Sequence, residues 1–177
     1  MMRQLYKYNR RMRTPFLLFL LAGILLLAAC DTPAPPARTG PRPAAGQAPD
    51  FSLPDIDGRE FRLRDQQGKT TLIVFSTTWC STCRSEIPYF KELYARLQPK
   101  GLVMVSIDIL ESRDKVSRFA AQYQLPYRTL LDETGQVSEA FGVRGVPSLA
   151  IIGPDGVLAC MPCRNPEETL ASLMGKL

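Results

Sequence analysis

Apolar and polar positions along the chain fall into two periods. Thr71-Leu72-Ile73-Val74-Phe75 and the stretch 102–107 are continuous, β-branched-rich and short, the mark of strands buried on both faces. Residues 83–97 instead place Ile87, Phe90, Leu93, Tyr94 and Leu97 three and four apart, one stripe of an amphipathic helix. Val116, Phe119, Ala120 and Tyr123 repeat that spacing over 114–123, and a short helix is expected over 137–141. Phe51-Ser52-Leu53 and Glu60-Phe61-Arg62-Leu63 alternate on either side of Asp57-Gly58, a hairpin signal. Ser148–Ile152 and Val157–Cys160 flank Gly153-Pro154-Asp155-Gly156 in the same way. Asn165-Pro166-Glu167-Glu168 then opens a last helix with an N-cap residue, a first-turn proline and two acids against the dipole. Strands alternating with helices and closing on a hairpin plus helix predict an α/β three-layer sandwich. It has a mixed central β-sheet, helices on both faces and an N-terminal β-hairpin.

Ahead of that pattern stands an apolar run from Phe16 to Ala29, preceded by Arg3, Lys7, Arg10, Arg11 and Arg13 and no acid. A membrane span needs about 20 apolar residues and a signal-peptide core about 7 to 15, so the run reads as an export signal. Its end, Leu27-Ala28-Ala29-Cys30, resembles a bacterial lipobox, which implies lipidation of Cys30 and attachment to a membrane through the lipid. An uncleaved signal anchor with Cys30 as apolar filler is the alternative. The acid Asp31 beside Cys30 leans, by the same resemblance, toward the periplasmic face of the inner membrane. From Asp31 to Pro49 the chain is rich in proline and alanine and has no apolar periodicity. In polyproline II geometry this tether reaches roughly 60 Å. The expected organisation is a lipoprotein signal peptide over 1–29, a Pro/Ala-rich tether over 30–47 and a folded domain over 48–177.

The formal charge of +5 shrinks to nothing once those five N-terminal basic residues are set aside, so no nucleic-acid partner is expected. The chain has no histidine, which excludes Ser-His-Asp and Cys-His hydrolases and any His-ligated metal. Five cysteines remain to carry chemistry, and with Cys30 assigned to the lipid they form two pairs of equal spacing, Cys80/Cys83 and Cys160/Cys163. Cys80 follows a buried strand and opens a helix. There unpaired N–H groups and the macrodipole favour a thiolate, and a second thiol three residues on can resolve a mixed disulfide.

Ala48-Pro49-Asp50-Phe51, Gly68-Lys69, Trp79-Cys80-Ser81-Thr82-Cys83, Glu86-Ile87-Pro88 and Gly145-Val146-Pro147-Ser148 occur in that order. Together they resemble the thioredoxin-fold thiol:disulfide oxidoreductases of the TlpA and ResA group within the redoxin superfamily. The resemblance implies Cys80 as the attacking, more exposed thiol and Cys83 as the buried resolving thiol, with Trp79 on the rim. It implies a cis-proline at Pro147 that leaves the Val146 backbone for an extended substrate segment. It also matches Glu86 to an acid near the active site, where proton management competes with a simple solvated first-turn role. Val74 stands where thioredoxins carry a buried aspartate serving the resolving thiol, so that proton route is expected to be missing and Glu86 or water to serve instead. The implied activity is reduction of protein disulfides with no cofactor beyond the redox-active disulfide. Implied partners are apocytochrome c as client and a membrane electron donor of the DsbD or CcdA type.

Cys160-Met161-Pro162-Cys163 lies outside what the resemblance demands. The last hairpin is expected to carry it back to the active-site end, with Cys160 roughly 10 to 15 Å from Cys80 by strand spacing. Three readings stay open: a local structural disulfide, an auxiliary redox pair, and a metal site formed alone or with Cys80/Cys83. Two rival functions also remain. A peroxiredoxin shares the Ala-Pro-Asp-Phe opening but needs a proline-led context ahead of its cysteine that Phe75-Ser76-Thr77-Thr78-Trp79 does not supply. A copper chaperone would present the thiols without turnover, and the missing histidine counts against it.

Overall fold

A computed structural model describes residues 46–175. The expected signal peptide, Cys30 and all but the last two tether residues lie outside them. The chain joins the fold at Gly46 and Gln47: the Leu158 N–H donates to the Gly46 carbonyl at 2.9 Å, and Gln47 bridges Val157.

Strands β1 (Ser52–Pro54) and β2 (Glu60–Arg62) form the antiparallel N-terminal hairpin. Next come β3 (Thr71–Ser76), α1 (Ser81–Leu97), β4 (Val103–Ile109), α2 (Arg113–Tyr123) and β5 (Arg128–Asp132). The chain closes with α3 (Gln136–Ala140), β6 (Ser148–Ile152), β7 (Leu158–Cys160) and α4 (Pro166–Met174). The central sheet has the order β5-β4-β3-β6-β7, with β3, β4 and β5 parallel and β6 and β7 antiparallel to their neighbours.

Alternation along the buried strands sends odd and even residues to opposite faces. Ile73, Phe75, Val105 and Ile107 meet Phe51, Phe61, Val137 and Phe141 from the hairpin and the α3 region. Leu72, Val74 and Met104 meet Phe90, Leu93 and Leu97 of α1 and Leu170 of α4. Both faces are thus covered, which is why β3 reads as an unbroken apolar run.

Strand β4 runs two residues past the apolar stretch that marks it, through Asp108 and Ile109. Asp108 ends the hydrophobic pattern without ending the strand, because the strand still pairs there: Ser76 faces Asp108 on one side and Asp108 faces Leu131 on the other. Edge strand β5 carries no clear sequence signal, since Arg128 and Thr129 dilute its apolar content. It is held by the hairpin instead: the buried Asp55 carboxylate accepts from Arg128 Nε at 3.0 Å and Arg128 Nη2 at 2.8 Å, and from the Arg59 N–H at 2.8 Å. Phe119 and Tyr123 of α2 are half-buried, while Val116 and Ala120 carry its inner face. At α4 the Asn165 side chain makes no capping bond; its carbonyl accepts from Thr169.

Candidate active site

Cys80 is the N-cap of α1. Its sulfur accepts the Cys83 N–H at 3.0 Å, so the orphan donor of the first helical turn points at the first cysteine of the pair. The first turn holds no acid to oppose a thiolate there. Cys80 and Cys83 are joined in a disulfide, Cα to Cα 5.3 Å. Both are buried, at 7 % and 4 % exposure, so the expected contrast between an open and a closed thiol is slight in the oxidised state. Cys80 Sγ lies 3.8 Å from the Val146 carbonyl oxygen, and the Val146–Pro147 peptide bond is cis. Val146 and Pro147 are half-buried, whereas Trp79 stands 67 % exposed beside the pair. The start of α1 and the loop before β6 thus converge on one sulfur.

The turn that carries Trp79 is fixed from β4. Glu111, just past the strand end and buried, accepts the Thr78 N–H at 2.5 Å and the Thr78 hydroxyl at 2.7 Å, and pairs with Lys115 at 2.5 Å. Burial alone would raise the Glu111 pKa, but the Lys115 and Thr78 bonds outweigh it and hold the carboxyl below the usual range. Glu86 is half-buried on α1, one turn past Cys83, where its charge reaches Tyr89.

Beneath Cys83 lies a cavity of about 20 Å³, lined among others by Val74, Ser76, Cys83, Asp108 and Tyr127; Glu86 is not part of it. Asp108 is 1 % exposed, and its Oδ1 is fully buried with no hydrogen-bond partner, a state shared among the described residues with Thr77 Oγ1. Burial first, then the negative Glu111 nearby, pushes the Asp108 pKa up to about 7 against the opposing pull of Lys115. Tyr127 is raised as well, by burial and by Asp108. Asp108, Glu111 and Tyr127 were not singled out by motif. The available signal was a charged residue at the end of an otherwise apolar buried strand, which needs a reason to be there.

The second pair is also a disulfide, Cys160–Cys163, with Cα atoms 5.0 Å apart. Cys160 faces Ile151, which faces Leu72, so β7 stops beside the middle of the sheet. The register puts Cys160 about 10 Å across and about 13 Å along from the Ser76 end of β3, the strand that leads to Cys80. The strand ends at Cys160, where the sequence placed its end, with a bulge opposite between Ile151 and Ile152. Cys163 is buried against the α1 and α4 side chains, and its N–H donates to the Leu149 carbonyl at 2.8 Å. Thr169 Oγ1 is 3.7 Å from both sulfurs. Among the described residues no three His, Cys, Asp or Glu side chains are grouped to hold a metal ion.

A helix-capping dithiol pair beside a cis-proline, on a sheet of this order, defines a thioredoxin-like thiol-disulfide exchange protein. The chain belongs to the AhpC/TSA family, which it matches over residues 44–161. It is 36 % identical over 147 residues to the thiol-disulfide oxidoreductase ResA of Geobacillus thermodenitrificans, covering 82 % of each chain. The ResA of Bacillus subtilis is 31 % identical over 144 residues, 78 % of this chain and 80 % of that one. Among solved structures, a Chlorobium tepidum protein described as a thiol:disulfide interchange protein of the DsbE kind superposes with a TM-score of 0.67. It is 26 % identical, over 73 % of this chain and 96 % of that one. The protein is a ResA-like thiol-disulfide oxidoreductase with Cys80-Ser81-Thr82-Cys83 as its cysteine pair.

Proposed function

We propose that this protein is exported, tethered to the membrane through lipidated Cys30, and reduces disulfides in protein clients. The Cys80 thiolate attacks the client disulfide and forms a mixed disulfide with one client sulfur. Cys83 then attacks Cys80 Sγ, closing the Cys80–Cys83 disulfide and releasing the client's second thiol. The client segment lies along Val146-Pro147, with Trp79 at the rim, and a membrane donor of the DsbD or CcdA type restores the dithiol. Apocytochrome c is the client the family resemblance favours. The observation that carries the reading is the Cys83 N–H aimed at Cys80 Sγ at 3.0 Å from a helix N-cap, which stabilises a thiolate on the outer cysteine of the pair. Export and tethering rest on the basic N-terminus, the short apolar run and Leu27-Ala28-Ala29-Cys30. The test combines the reduction potential of the Cys80 pair with a Cys83→Ser variant. A reducing potential and a client trapped on Cys80 are expected. A potential as oxidising as that of the disulfide-forming enzymes, or turnover of hydrogen peroxide without a protein client, would overturn the reductase assignment.

A further inference from the structure

Cys83 must lose a proton before it can attack, and the sequence left that task to Glu86 or water, because Val74 stands in place of an acid. Val74 cannot accept one, and Glu86 is absent from the cavity under the thiol. That cavity contains a carboxyl nevertheless. Asp108 arrives from β4, the neighbouring strand, at the level of Ser76, and lines the same small space as Cys83 with a fully buried, unpaired Oδ1. A carboxyl oxygen left without a partner in the interior costs free energy, so its retention at this place calls for a use. The cavity's size is about that of one water, enough to link Asp108 to Cys83 through a single bridging molecule.

We infer that Asp108 is the proton acceptor for Cys83 during release of the client, an inference that rests on the exchange chemistry proposed above. In the mixed disulfide between Cys80 and a client, the Cys83 thiol gives its proton to the Asp108 carboxylate. The resulting thiolate attacks Cys80 Sγ; the new Cys80–Cys83 bond forms as the client–Cys80 bond breaks, and the client leaves as a thiolate. Two electrons pass from the enzyme dithiol to the client disulfide. When a donor reduces the enzyme, the proton on Asp108 returns to Cys83 as it departs from Cys80. The groups that face Asp108 suit a carboxyl that changes state near neutrality. Glu111 raises its proton affinity, Lys115 lowers it, and Tyr127, itself held protonated, and Cys83 complete the titratable surroundings.

Single-turnover reduction of a disulfide-bonded peptide separates the two steps, since formation of the mixed disulfide reports Cys80 and its disappearance reports Cys83. Asp108→Asn should slow disappearance about a hundredfold near neutral pH. The deficit should shrink above about pH 9, where the thiol ionises unaided. Formation should stay within about twofold, because Cys80 draws on the Cys83 N–H and not on Asp108. In the wild type, disappearance should follow two coupled ionisations belonging to the Cys83–Asp108 pair. Equal disappearance rates for both proteins across the pH range would overturn the inference, as would a single wild-type ionisation at an ordinary thiol value. A wild type that forms no mixed disulfide at all would instead overturn the exchange chemistry, and the inference with it.

Discussion

Asp108→Asn has a second consequence, on stability, which needs no client. A carboxyl raised from 3.8 to about 7 by burial binds its proton more tightly in the folded protein than in the unfolded chain. Between those values the folded state holds more protons, so unfolding free energy falls as pH rises through the window. The difference of about three pKa units corresponds to about 4 kcal/mol at about 1.4 kcal/mol per unit, an upper figure for a site where a water can enter. Asn has nearly the same shape and never ionises. The variant should therefore match the wild type near pH 4 and exceed it by as much as about 4 kcal/mol near pH 8. Glu111 and Asp55, whose pKa values are lowered from 4.5 and 3.8 in spite of burial, act in the opposite sense and at the acid end of this window or below it, and they are present in both proteins. Urea unfolding of the oxidised proteins at several pH values measures the difference directly. A wild-type-to-variant gap that stays constant from about pH 4 to pH 8 would show that Asp108 ionises normally, and the buried-acid reasoning would fall.

Three further outcomes can be checked by the same unfolding assay, the last of them together with the mixed-disulfide formation rate. Glu111→Ala leaves the Thr78 N–H and hydroxyl without their acceptor and should cost about 2–4 kcal/mol, whereas Glu111→Gln should cost distinctly less; equal losses would mean that charge, not hydrogen bonding, fixes that turn. Leu110 is 68 % exposed at φ 58°, so Leu110→Gly should stabilise by about 0.5–1 kcal/mol, and a loss of stability would show that its contact over Gly135 matters more than its backbone. Replacing Cys160 and Cys163 together with serine should cost about 2 kcal/mol for the short loop they close while leaving the rate of Cys80 attack unchanged; a slowed attack would assign the second pair to the redox path.

The parts of this molecule that periodicity dictates were legible before any coordinates. β3, α1, α2 and both hairpins follow from apolar spacing and turn residues, because two covered sheet faces force continuous apolar strands. Helix α1 begins where the cysteine motif begins, so the Cys80 cap was legible too. What escaped depends on contacts between distant segments. Strand β5 is assembled by Asp55 reaching Arg128, seventy-three residues away, and no local pattern encodes that. Asp108 escaped for a related reason: a charge inside an apolar run reads as a strand end unless the register with Ser76 and the helix above it are known. The proton route sought on β3 was one strand away.

The two cysteine pairs share a spacing and a covalent state but differ in electrostatics. Cys80 is itself the cap of a seventeen-residue helix whose first turn carries no acid, and it receives a backbone N–H. Cys163 lies three residues before Pro166, the first residue of α4, spends its own N–H on Leu149, and precedes a helix whose first turn carries Glu167 and Glu168. Those acids offset the favourable end of the dipole that would otherwise stabilise a thiolate. Thr169 Oγ1 lies 3.7 Å from both sulfurs, and a neutral hydroxyl at that distance is a weak substitute for a helix terminus. Equal spacing therefore does not give equal electrostatics: a helix cap and a backbone donor favour a thiolate at Cys80, and the acids of the first α4 turn oppose one at Cys163.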